Sequence, residues 1–137
     1  MDLSAFQIVV TYFISAVTFF IVDFIWLVKV APKIYRENIG HLMADKPNVP
    51  AAVAFYSVFL VGLLIFVIVP ALQKSSLNHA AIYGALFGFF TYATFDLTSN
   101  AVFKKWPFKI TAIDMVWGTV LCCLISIVTF ALAKKIF

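Results

Sequence analysis

Four long apolar runs, at residues 8–28, 51–69, 80–103 and 110–133, are separated by short stretches that collect the prolines and most of the lysines. Each run has about the 20 residues an α-helix needs to cross a hydrocarbon layer of roughly 30 Å. The runs are continuous, without the alternating ten-residue pattern of barrel strands, so helices and not a closed β-barrel must satisfy the backbone in lipid. The pattern predicts an all-α integral membrane protein, a four-transmembrane-helix bundle forming one polytopic membrane domain over residues 1–137. Local signals agree with it. Asn48 and Pro50 stand where a cap and a first turn belong, Pro70 follows the last turn of the second run, and Lys104-Lys105-Trp106-Pro107 divides the third from the fourth.

The first connection has a pattern of its own. Tyr35, Ile39, Leu42 and Met43 recur at helical spacing opposite Lys33, Arg36, Glu37 and Asn38, which predicts a short interfacial helix between helices one and two. Gly40 interrupts the spacing, and a loop lying at the headgroups is the alternative.

Composition removes the remaining classes. With 64% hydrophobic and 12% charged residues, the chain is too apolar for a soluble domain and the opposite of a disordered one. The net charge is +4, but the basic residues form no dense run, so no nucleic-acid partner is expected. They mark topology instead. Lys29, Lys33, Arg36, Lys46, Lys104, Lys105 and Lys109 fall in the first and third connections, against Lys74, Lys134 and Lys135 on the other side. By the positive-inside rule the first and third connections are cytoplasmic and both termini periplasmic. The segment before the first run has no basic n-region, and that run is too long for a signal h-region, so it is expected to be retained. Cys122 and Cys123 are adjacent in an apolar run and read as small core residues, not as a disulfide or metal pair. His41 and His79 sit at membrane edges and read as solvated interfacial side chains.

Against this background three aspartates stand out. Asp23, Asp96 and Asp114 fall inside predicted spans, where each costs about 2.5–3.5 kcal/mol at mid-helix on an insertion scale. Each lies roughly 8–12 Å inside the basic end of its helix, at 1.5 Å per residue. Helical angles put Tyr12, Ser15, Ala16, Phe19, Asp23 and Trp26 within about 100° on span one. Gly88, Tyr92, Asp96, Ser99 and Asn100 share about 120° on span three, and Thr111, Asp114, Gly118 and Cys122 about 80° on span four. Span two, with Tyr56, Ser57 and Gly62, reads mainly as packing.

These faces predict a polar pocket among spans one, three and four, open toward the cytoplasmic leaflet and roofed by the first connection. A carboxylate there must find a partner or stay protonated. Tyr12, Trp26, Tyr92, Thr98, Asn100 and Trp117 are candidate donors. Tyr35 belongs to the roof, and Arg36 or Lys109 are the nearest cations able to reach inward. The competing reading is an interhelical hydrogen-bond network that only fixes register. Three carboxylates with Asn100 offer oxygens suited to a hard cation, but their spacing does not demand one, and no metal or cofactor is expected. Gly84 and Gly88, with Ala81 and Ala85 alongside, make a G-x-x-x-G spacing that allows close backbone approach within the bundle or to a second copy in a homodimer, and Gly118 on span four is a further packing position.

The strings Asp23-x-x-Trp26-Leu27, Tyr35-Arg36, Gly40-His41-Leu42, Thr94-x-Asp96-Leu97-Thr98-x-Asn100, Trp106-Pro107 and Asp114-x-x-Trp117-Gly118-Thr119 cover nearly the whole chain. Together they resemble the bacterial family called domain of unknown function 2177. The resemblance implies a small multi-pass membrane protein and brings no activity, substrate or cofactor with it. The leading expectation is therefore a bacterial inner-membrane protein whose aspartate-lined pocket binds a lipid-like or amphipathic molecule among membrane lipids. A small transporter or proton-coupled carrier and a non-catalytic assembly subunit remain as alternatives. No residue pattern commits the chain to a reaction.

Overall fold

The computed structural model describes residues 2–137 and is helical throughout, with no strand among the described residues. Four helices are long and apolar enough to cross a membrane: α1 (Ala5–Leu42), α2 (Val49–Gln73), α3 (Leu77–Val102) and α4 (Phe108–Ile136). Their starts follow from local chemistry. Ser4 and Gln7 form a reciprocal capping box at α1, with Ser4 Oγ accepting from the Gln7 amide at 3.2 Å and Gln7 Oε1 accepting from the Ser4 amide at 2.9 Å. Asn48 caps α2 and Ser76 caps α3, each accepting an amide proton of its first turn. Pro107 precedes α4.

The helix expected in the first connection is present as Ala31–Ile39, but it is continuous with the first span. α1 has 38 residues, about 57 Å at 1.5 Å per residue. Pro32 removes an amide donor and crowds the preceding turn, and a wide turn over Trp26–Val30 absorbs the disturbance without ending the helix. The same device carries α2 past Pro70, where the expected stop is overridden by a wide turn at Leu64–Ile68 and the helix continues to Gln73. Both prolines lie six residues after the start of their wide turn. The α2–α3 turn closes with the amides of Ser75 and Ser76 on the carbonyls of Leu72 and Ala71, and it holds Ser75 at φ 49°.

α4 is the central element, packing against α1, α2 and α3, with α3 as its most extensive neighbour. The α3–α4 seam is built from glycines. A β-carbon on Gly84 would lie 2.8 Å from the Cys122 carbonyl oxygen, one on Gly88 would overlap the Gly118 carbonyl, and one on Gly118 would overlap the Tyr92 ring. α1 docks on α4 through Thr11, Ser15, Phe19 and Asp23, buried at every fourth residue. α2 is tilted relative to these three. No residue from 49 to 58 is buried, whereas Phe59, Leu60, Leu63, Leu64, Val67, Ile68, Ala71 and Leu72 all are. Its Gln73 end is therefore packed and its Val49 end splayed, which opens a gap beside α3 at the end of the molecule that carries the aspartates.

Candidate functional site

The gap contains a cavity of about 380 Å³ lined by Phe55 and Phe59 of α2, Thr91, Tyr92, Phe95 and Asp96 of α3, and Asp114 of α4. Asp96 and Asp114 reach it because the glycine seam brings the α3 and α4 backbones into contact a turn or two away. α2 forms one wall, so the cavity lies among helices two, three and four rather than one, three and four.

Each aspartate has a different environment. Asp23 accepts a hydrogen bond from Tyr56 Oη at 3.0 Å and has the Trp117 ring beside it. That ring stacks on Trp26 at 4.3 Å between centroids and 8° between planes. Asp114 Oδ1 accepts from Tyr35 Oη, a bond that folds the extended end of α1 back onto α4. Asp96 is fully buried, and among the described residues no amide, hydroxyl or basic group donates to its carboxylate oxygens. Its one side-chain hydrogen-bond partner is the carboxyl group of Asp114, which shares the cavity with it.

The backbone of Asp96 is held more firmly than its side chain. Its carbonyl accepts from Thr111 Oγ1 at 3.2 Å, Thr111 accepts from Trp106 Nε1 at 3.0 Å, and the Trp106 carbonyl accepts from Asn100 Nδ2 at 3.2 Å. Trp106 and Asn100 thereby tie the α3–α4 connection to the start of α4 and fix the floor of the cavity. Asn100 contributes from this position and not as a lining group.

Other residues expected in the pocket are elsewhere. Tyr12 donates to the Ser57 carbonyl at 3.3 Å, some 11 residues and about 16 Å of helix from Asp23. Thr98 is exposed and returns its hydroxyl to the Thr94 carbonyl. Arg36 is exposed and lines a separate surface hollow with Gly40, Met43, Ala44, Asp45 and Pro47. Lys109 is likewise exposed. Tyr92 is in the cavity wall, while Gly84, Gly88 and Gly118 are all in the α3–α4 seam. Among the described residues no three His, Cys, Asp or Glu side chains converge as a metal site.

The composition of the four helices and the intramembrane position of the aspartates define the class: this is a polytopic membrane protein. Residues 8–131 match the family described as predicted membrane protein, domain of unknown function 2177, and the chain belongs to that family. No curated protein and no solved structure matches it.

Proposed function

We propose that the protein binds a small amphipathic molecule drawn from the bilayer, with its polar end at Asp96 and Asp114 and its apolar part against Phe55, Phe59 and Phe95. The carrying observation is the pairing of two buried carboxyl groups, Asp96 and Asp114, in the wall of a mostly aromatic cavity, with no basic group against Asp96. Two carboxyl groups buried together without a cation are costly to keep, and a contact that only fixed helix register would not require both. The volume lies within the roughly 300–1,000 Å³ range of small-molecule sites. The splayed end of α2 leaves Phe55 and Phe95 exposed toward lipid, giving an apolar ligand a lateral way in. Binding is favoured over carriage because the seam beyond the cavity is shut by the contacts of Gly84 and Gly88 with α4.

Native mass spectrometry of gently extracted protein tests this reading. A retained small-molecule adduct is expected on the unaltered chain and is expected to be lost in Thr91→Phe, which fills the cavity and leaves both aspartates in the sequence. Identical adducts on both proteins would mean that only surface lipid is bound, and the reading would fall.

We place the protein in the inner membrane of a bacterium with the Asp96 end facing the cytoplasm, on the strength of the lysines and arginine clustered at that end. In intact cells an impermeant thiol reagent should label Asn78→Cys and leave Asp45→Cys unlabelled. Labelling of the second and not the first would reverse the orientation.

A further inference from the structure

We infer that the polar end of the ligand is a cation, a protonated amine on an apolar tail. This inference rests on the proposed binding of an amphiphile in the cavity and specifies its chemistry. Three observations carry it.

First, the site offers more acceptors than donors, two carboxyl groups against one uncommitted hydroxyl, that of Tyr92. No amide, hydroxyl or basic group donates to Asp96, whose one side-chain partner is the Asp114 carboxyl group in the same cavity, and the Tyr35 hydroxyl is committed to Asp114. The Thr91 hydroxyl is turned back to the Phe87 carbonyl at 2.7 Å. A ligand that satisfies this wall must bring hydrogens. An ammonium brings up to three with a full positive charge, a single alcohol brings one, and a carboxylate brings none.

Second, the chain supplies no cation of its own. Arg36, Lys104, Lys105 and Lys109, the basic residues at this end nearest to Asp96 in sequence or across the roof, are all exposed, and no basic side chain contacts either Asp96 oxygen among the described residues. A phosphate, sulfate or carboxylate head would meet only like charge.

Third, the remaining lining is aromatic. Phe55, Phe59, Tyr92 and Phe95 present ring surface around the two carboxyl groups, and ring faces attract ammonium ions by about 0.5–2 kcal/mol. A hard metal ion would have to bring most of its six or more oxygens as water into a cavity walled mainly by aromatic carbon. An organic ammonium is served by both kinds of wall, with its charge at the carboxyl groups and its carbons on the rings.

The test compares dodecylamine, dodecanol and dodecanoate on the purified full-length chain in a nonionic detergent at pH 7, read as specific adducts by native mass spectrometry. Specific binding is the part that Thr91→Phe removes. The amine is expected to bind the unaltered chain roughly tenfold or more tightly than the alcohol, the scale of a hydrogen bond to a charged group. Asp96→Asn, nearly the same size, is expected to erase that preference while alcohol binding persists, which also shows that the variant is folded. If the alcohol or the carboxylate binds as tightly as the amine, or the preference survives Asp96→Asn combined with Asp114→Asn, the cation inference is wrong and the cavity reading stands. If Thr91→Phe excludes none of the three probes, the cavity reading itself fails.

Discussion

Gly88→Ala is expected to cost the protein about 2 kcal/mol or more of stability, the largest loss from any single methyl group in the chain. The added carbon would overlap the Gly118 carbonyl and stand 2.9 Å from the Cys122 β-carbon. Backbone on the facing helix cannot swing aside as a side-chain tip can, so α3 and α4 must separate along their shared length. Overpacking of this kind costs about 1–3 kcal/mol or more, against a gain of up to about 1 kcal/mol in helix propensity from replacing glycine. In a membrane, where close packing drives helix association, there is no compensating hydrophobic force between helices.

The other glycines provide a graded comparison. Gly62→Ala meets only the tip of the Phe87 ring at 3.3 Å, and Gly40→Ala meets nothing within 4 Å. Thermal unfolding in detergent should rank Gly88→Ala well below Gly62→Ala, with Gly40→Ala at or near the unaltered protein. If Gly88→Ala melts with Gly40→Ala, the α3–α4 approach is looser than described. Gly118→Ala differs in kind, because the atom in its way is the Tyr92 ring, a movable part of the cavity wall.

The seam was readable because its signal is angular. Gly88, Asp96 and Ser99 on α3 and Asp114, Gly118 and Cys122 on α4 fall on arcs that turn out buried and facing one another. Angle alone carries no information about depth across the bundle or about tilt. Tyr12 shares the stripe of Asp23 yet lies about three turns away from it, against Ser57. Phe55 and Phe59 are apolar residues on an apolar helix, indistinguishable in sequence from lipid-facing phenylalanines. Only the tilt of α2 puts them over a cavity. Tyr56 did leave a usable cue, since it lies about as far from the start of α2 as the aspartates lie from the same end of their helices, and it is the partner of Asp23. Pro70 misled for a different reason. It is a strong stop signal for a helix with one hydrogen-bond pattern, but a single wide turn upstream changes the pattern and lets the helix continue, as another does before Pro32.

Asp96→Leu is expected to stabilise the fold while abolishing ligand binding. The unaltered carboxyl group is fully buried against a second one, that of Asp114, with no amide, hydroxyl or basic group donating to it, and the adjoining cavity of about 380 Å³ accepts the slightly larger leucine side chain without overpacking. Removing one of two buried carboxyl groups should therefore raise stability by about 1–3 kcal/mol. Asp23→Leu makes the opposite change. It strands the Tyr56 hydroxyl that now donates to Asp23, and interhelical bonds of this kind are worth about 0.6 kcal/mol on average and up to about 1.7 kcal/mol. The two variants, melted side by side without added ligand, separate the roles a buried aspartate can have. A group that fixes helix register loses stability when removed, as Asp23 should. A group held ready for a ligand destabilises the empty protein, and its removal restores stability at the expense of binding. Asp96→Leu melting below the unaltered chain would show that its pairing with Asp114 holds the helices together, and Asp96 would then belong to the interhelical network with Asp23.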